Sequence, residues 1–321
     1  MKKILLIFVL SLIFSCNNLE KKQDLIEFPS GMVFIQGGEF LMGADNKQAM
    51  RDEYPQHKVL INSFLMDETE VTNADFKKFI ESTGYLTTAE RKIDWDDLKK
   101  YLPPNTPKPH DSLLAPSSLV FFESQTKNLN DFSKWWKLQK EVNWKHPYAK
   151  ESTIDTIMNH PVIHVSWDDA VAYCNWKGRR LPTEAEYEYA MRSGKSNTMY
   201  SWGNQPINTG KQKANVWQGN FPSNNVVSDE FYYTSPVKSF DKNDFGIYDI
   251  SGNVWEWCSD LYHSDYYSTI SNGIANNPTG PTKSFDPNEI TVDAKADKTK
   301  KVVETGIPNL VNTKSIPGAT A

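Results

Sequence analysis

The spacing of apolar positions changes several times along this chain, and each change predicts an element. "MVFIQGGEFLMG", residues 32–43, places apolar runs on either side of Gly37-Gly38. Two short strands are expected there, joined as a hairpin, because a Gly-Gly pair readily takes turn dihedrals. "HKVLINSFLMDETEVT", residues 57–72, continues with strand-like alternation. The period then moves to that of a helix. "NADFKKFIES" sets Phe76, Phe79 and Ile80 on one face and stops at Gly84, "WDDAVAYCNWKG" stops at Gly178, and "EAEYEYAMRSG" stops at Gly194. Each is preceded by a hydroxyl with an acid three residues on: Thr72 with Asp75, Ser166 with Asp169, Thr183 with Glu186. That spacing predicts a capping box, in which the hydroxyl accepts from an orphan amide and the carboxylate answers the first amide.

Elsewhere the pattern fades. Residues 95–150 are rich in Trp, Pro and Lys without periodicity, and read as a loop-rich insertion packed by its aromatics. From 200 to 260 Gly, Asn, Pro and aromatic residues dominate and no helical period recurs. Irregular backbone that is buried must still find partners for its amides and carbonyls, and bound cations are one way to satisfy the carbonyls. From Ser271 onward Asn, Pro, Thr, Lys and Asp take over, and no ring follows Phe285. No repeat and no second core are evident, so one domain is expected.

The first residues bear on compartment. Behind Met1-Lys2-Lys3, residues 4–14 form an apolar run broken only by Ser11. A mature spanning helix needs roughly 20 residues, so the run fits the core of an export signal instead. It ends in "IFSCNN", which resembles a bacterial lipoprotein cleavage box. The expectation is a signal peptide over 1–15, lipidation of Cys16 and a polar tether over 16–30. An exported, membrane-anchored lipoprotein of the periplasm or cell surface would result. An ordinary signal peptide with an incidental cysteine is the alternative.

Composition supports a folded core, with 39% hydrophobic and 12% aromatic residues in 321. A net charge of -5 with both signs interspersed gives no footprint for nucleic acid. Only Cys174 and Cys258 remain beyond Cys16, and they could pair only if the fold brings them together.

Hydrolytic machinery is hard to assemble. There is no G-x-S-x-G elbow, no H-E-x-x-H and no phosphate-cradling glycine loop. His160 and His164 of "HPVIH" read as strand-like structural residues. Glu184, Glu186 and Glu188 cluster at a helix start, where the dipole favours them. Asn215, Asp229, Asp249 and Glu256 are more suggestive. Calcium takes six to eight oxygens, and irregular chain supplies carbonyls beside a few such side chains. Asn and Asp are equally ordinary turn formers.

Several segments together resemble the formylglycine-generating enzyme, or sulfatase-modifying factor, family: "GGEFLMG", "DETEVTNADFKKFIESTGY", "HPVIHVSWDDAVAYCNWKGRRLPTEAEYEYAMRSG", "YSWGN", "ANVWQGNFP" and "FGIYDISGNVWEWCSD". The likeness runs from about Gly31 to about Glu289, in family order. It implies one compact α+β domain over 31–290, related to C-type-lectin-like folds and poor in regular structure. It also implies two calcium sites. One would use Asn215 and Asp229 with the carbonyls of Val216 and Phe231. The other would use Asp249, Gly252, Val254 and Glu256, with Asp249 where the family commonly has Asn.

The resemblance further implies a catalytic centre after an Arg-Gly-Gly-Ser strand. There two nearby cysteines hold copper(I), the soft-ligand pairing that metal prefers, and oxygen converts a sulfatase cysteine in Cys-x-Pro-x-Arg to formylglycine. In this chain "KKVV" reaches Val303 and "ETG" follows where the family shows that strand. Residues 291–321 therefore read as a divergent, poorly ordered tail, with no catalytic residue to assign and no copper site. A damaged gene or true divergence would both give this. The family commonly bonds the counterpart of Cys174 to a C-terminal cysteine, so Cys174 is expected as a buried thiol pointing into the core. Cys258 is expected to be structural. The leading expectation is a formylglycine-generating oxidase homologue, inactive as written. The alternative is a non-catalytic, lipid-anchored binding or scaffold protein of the same fold. The family's sulfoxide synthases need an added His-rich domain, for which neither the length nor the six histidines suffice.

Overall fold

In the computed structural model, residues 28–285 apart from 48, 130 and 208 are described, together with 300–303. The Gly37-Gly38 hairpin is not what forms. Strand β1 (Met32–Ile35) and strand β2 (Gly38–Met42) part company at Gly37. β2 pairs antiparallel with β3 (His57–Ile61), and β1 pairs antiparallel with β4 (Phe64–Asp67). A Cβ on Gly37 would lie 2.3 Å from the Ile61 carbonyl oxygen, where β3 also changes sheet. The glycine is needed for this crossing of two strands and not for a turn.

The three capped helices form where their signals lie. Helix α1 (Asn73–Thr83) ends on Gly84 in the left-handed conformation. Its cap is half a box: the Asp75 amide donates to the Thr72 hydroxyl at 3.2 Å, but the Asp75 carboxylate takes that hydroxyl and Lys78. Around it the isolated bridge of Thr72 with Pro161 is made by the flanking groups, the Val162 amide on the Val71 carbonyl and the Asn73 amide on the His160 carbonyl, both at 2.9 Å. A four-residue helix α2 (Trp95–Leu98) opens the insertion. Within it β5 (Ser117–Phe121) and β6 (Trp136–Lys140) pair antiparallel, a ladder that no periodicity announced. Helix α3 (Trp167–Lys177) and helix α4 (Glu184–Met191) both carry complete capping boxes.

From 192 to 265 no helix occurs among the described residues. The short strands β7 (Gly219–Asn220) and β8 (Asn224–Asn225) pair with each other. Strand β9 (Glu256–Leu261) and a short helix α5 (Tyr266–Ile270) follow, and β10 (Ile274–Asn276) adds to β3 in parallel. Within the stretch expected to be poorly ordered, β11 (Lys300–Val303) pairs antiparallel with β9, Val303 opposite Glu256. The rest of 291–321 and the Cys16 segment lie outside the described residues.

Three apolar clusters hold these pieces together. One joins β2, β3 and α4 to Ile247, Ile250 and a fully buried Cys258, as expected for a structural residue. A second packs α1 against α3 through Phe76, Phe79, Tyr173 and Trp144. The third packs Phe121 and Trp135 of the insertion on Trp217 and Val254. The insertion is thus aromatic-packed, as its composition suggested.

Candidate metal centre and the groove beside it

The helix-poor stretch brings the eight candidate ligands into two neighbouring clusters. In the first, Asn215 and Asp229 are buried, with 2% and 5% exposure. Both Asp229 oxygens accept amides at 3.1 Å, Oδ2 from Val216 and Oδ1 from Phe231. Asn215 donates Nδ2 to the Tyr233 carbonyl at 2.9 Å, while its Oδ1 is buried with no hydrogen-bond partner.

In the second cluster, Asp249 adopts a positive φ of 54° and its Oδ2 accepts the Lys238 amide at 2.7 Å. Its Oδ1 is buried and unpartnered. The Gly252 amide returns to the Asp249 carbonyl at 3.1 Å, and the Val254 amide to the Gly252 carbonyl at 2.8 Å. Glu256 Oε1 accepts the Tyr187 hydroxyl at 2.8 Å.

Two residues join these that the motif reading did not assign. Glu70, from "DETEVT", is 4% exposed; Oε1 takes Asn253 Nδ2 at 3.1 Å, and Oε2 is buried without a partner. Asn253 links the clusters. Its Oδ1 accepts Asn215 Nδ2 at 3.0 Å, and its amide donates to the Asn215 carbonyl at 2.9 Å. The two clusters sit so close that a Cβ on Gly252 would lie 2.8 Å from that same Asn215 oxygen.

Electrostatically the second cluster is strained. Burial pushes the Glu70 carboxyl well above its ordinary range, and repulsion from Asp249 and Glu256 pushes it further. Burial also raises Asp249 and Glu256. Three enclosed carboxyls that repel one another ask for a positive charge. Among the described residues no three His, Cys, Asp or Glu side chains converge into a ready-made cluster, so any ion here would also draw on amide and backbone oxygens.

The histidines and glutamates set aside as structural are so placed. His164 is buried with a positive φ, hydrogen-bonded through Nδ1 to Ser118 at 2.8 Å and through Nε2 to the Pro147 carbonyl at 2.6 Å. His160 meets Thr234 at 2.9 Å. Neither lies in a strand; only Pro161 makes an isolated bridge. Glu186 caps α4 and takes Arg180 in a bidentate pair at 2.6 and 2.7 Å, Glu188 pairs with Arg192, and Glu184 accepts the Tyr267 hydroxyl.

Cys174 corrects an expectation. The residue is half-buried and not enclosed: it packs against the α1–α3 cluster and also lines a groove between β4 and α3. The helix faces that groove on the side where Trp167, Val171 and Cys174 recur at three- to four-residue spacing. Burial still pushes the thiol up to about 11, with the nearby Asp67 adding to it. Asp67 itself is raised by burial despite its ion pair with Arg179.

Comparison with known proteins matches this architecture. The Sulfatase-modifying factor enzyme 1-like domain covers residues 19–306. The formylglycine-generating enzyme of Mus musculus is 42% identical over 266 residues, covering 79% of this chain and 63% of that protein. That of Thermomonospora curvata is 38% identical over 258 residues, covering 79% of each chain. The inactive C-alpha-formylglycine-generating enzyme 2 of Mus musculus is 38% identical over 235 residues, covering 72% of this chain and 69% of that one. The chain spans less than two thirds of the length of the mouse and bovine formylglycine-generating enzymes, 63% and 64%. On this match and the α+β domain poor in regular structure that carries it, the chain belongs to the sulfatase-modifying factor, or formylglycine-generating enzyme, family.

Proposed function

We propose that this chain is a calcium-stabilised protein of the formylglycine-generating type that addresses a sulfatase polypeptide and, in these 321 residues, lacks the thiol pair for copper(I). The observation that carries the calcium half is the group of buried oxygens without partners: Asn215 Oδ1, Asp249 Oδ1 and Glu70 Oε2. Hard cations take such oxygens. Asn215 and Asp229 would hold one ion with the Val216 and Phe231 carbonyls. Asp249 and Glu256 would hold another with the Gly252 and Val254 carbonyls, and Glu70 supplies a further carboxylate. Calcium bound there would supply charge neutralisation, and the chain's own residues would hold the irregular backbone around it.

The thiols do not fit copper(I). Cys258 is fully buried on β9, and Cys174 is held protonated on α3. A thiol with a raised pKa or no access is a poor nucleophile and a poor soft ligand. No oxidation step is therefore derived for this chain. The alternative, a non-catalytic binding or scaffold protein, draws support from the same thiols and from the mouse relative named as inactive.

The test is incubation of purified protein with a Cys-x-Pro-x-Arg peptide, copper(I), oxygen and reductant, read by mass spectrometry. No cysteine-to-formylglycine mass loss above a copper-only control is expected. Turnover above that control would sink the inactive reading and show that other groups hold the metal.

A further inference from the structure

The β5–β6 hairpin turns large apolar side chains and lysines to solvent together. Leu119 and Leu138 stand directly opposite each other in the ladder, 41% and 50% exposed. Phe132, on the short turn that leads into β6, is 64% exposed. The hairpin that carries them is fastened to the body of the protein. Ser118 hydrogen-bonds His164 at 2.8 Å, and Phe121 and Trp135 pack in the third apolar cluster. The Phe122 amide donates to the Trp135 carbonyl at 2.8 Å, and the Ser124 amide to the Pro222 carbonyl at 2.9 Å. These apolar groups are therefore presented on a fixed support.

Charge goes with them. Residues 117–140 contain four lysines and two acids, in a chain whose net charge is -5. Both acids are engaged: Asp131 takes Ser133 and Lys134, and Glu123 takes the Tyr232 hydroxyl. Lys137 rests over the Phe122 ring at 5.2 Å, and Lys127 and Lys140 are exposed. Lys140 follows Leu138 by two residues, on the same face of its strand.

The mixture itself selects the partner. The core of a protein–protein interface is depleted in lysine and enriched in arginine, and 117–140 has lysines and no arginine. A lipid surface accepts the combination. Leucine and phenylalanine enter the boundary of headgroups and acyl chains, while lysine stems reach back to place their ammonium groups among the phosphates.

We propose that the exposed side chains of the β5–β6 hairpin rest on an anionic phospholipid surface, with Leu119, Phe132 and Leu138 entering that boundary and Lys127, Lys137 and Lys140 meeting lipid phosphates. The inference needs neither calcium, an oxidase nor an anchor at Cys16, so it stands or falls apart from the readings above.

The test compares the full chain on vesicles of phosphatidylcholine and on vesicles half phosphatidylglycerol. An amine-reactive acetylating reagent is applied, and each lysine is followed by mass spectrometry. The apolar run at 4–14 and any lipid at Cys16 bring the chain to both vesicles alike, so the difference reads the hairpin. Lys127, Lys137 and Lys140 are expected to acetylate at least about threefold more slowly on the anionic vesicles. Lys77 on α1 and Lys195 beyond α4 are expected to keep their rates. In about 1 M salt, where the Debye length is about 3 Å, the difference is expected to vanish. Leu119→Ser combined with Leu138→Ser, and Phe132→Ser separately, alter exposed positions and are expected to halve the protection at least, with an unchanged urea midpoint. Equal rates on the two vesicles, slowing spread evenly over all lysines, or full protection in both variants overturns the proposal. Slowing that grows with protein concentration in the absence of vesicles would give the face to a second copy and overturn it likewise.

Discussion

His164 shows how much a single buried ring sets the acid limit of this molecule. Both ring nitrogens are engaged, and burial depresses it from 6.5 to about 4. The folded protein thus binds fewer protons than the unfolded chain across that interval, so stability falls as pH drops from 6.5 towards 4 and levels below it. In calcium-saturated protein the wild type is expected to lose roughly 3 kcal/mol across the interval relative to a His164→Gln variant. Urea melts at several pH values measure this; parallel pH profiles would contradict it. Glu70 is a second residue whose role only the fold reveals. As a metal-free repulsor it costs stability, and as a ligand it contributes. Glu70→Gln is therefore expected to melt no lower than wild type in chelator, yet to lose ~1–3 kcal/mol of calcium-linked stabilisation. Equal calcium gains in both proteins, or no gain in the wild type, would refute the ligand assignment. Nothing local singles out Glu70, because "DETEVT" only continues the strand-like alternation of 57–72. The carboxylates it faces, Asp249 and Glu256, lie almost two hundred residues away, and no local spacing carries that.

Helix α3 was legible as an element because its signals are local. Ser166 and Asp169 exchange hydrogen bonds across the first turn at 3.2 and 2.7 Å, and Gly178 ends it with a φ of 71°. Ser166→Ala is expected to cost about 1–2 kcal/mol, read as a lower urea midpoint with unchanged slope. Asp169→Ala should cost more, since that fully buried carboxylate also takes the Thr88 amide at 3.0 Å and the Tyr85 hydroxyl at 2.9 Å. A larger loss for Ser166→Ala than for Asp169→Ala would reverse this account. Strand partners were less legible than helices. The same alternation in "MVFIQGGEFLMG" serves a hairpin or two strands in separate sheets, and the choice rests on how closely Gly37 approaches Ile61. The β5–β6 ladder left no trace in sequence, because Leu119 and Leu138 face outward while Val120 and Phe121 are buried side by side.

At the scale of the whole molecule, no described helix is long and apolar enough to cross a bilayer. Attachment would rest on Cys16, and the twelve residues from there to Phe28 reach at most roughly 40 Å when extended. An acylated cysteine at the mature N-terminus is expected by mass spectrometry. An unmodified N-terminus, or a Cys16→Ser variant that still partitions with membranes, would remove the anchor. Held in a crowd of neighbours near a surface, a protein with an uncovered strand edge risks sticking to its own kind. Charged side chains, prolines and bulges are the usual guards against such polymerisation. Here the guard is architectural. Among the described residues, the side of β4 away from β1 lies across a groove from α3, lined by Phe64, Cys174 and Leu181. A neighbouring molecule approaching that strand would meet α3 and the 177–182 loop beside it.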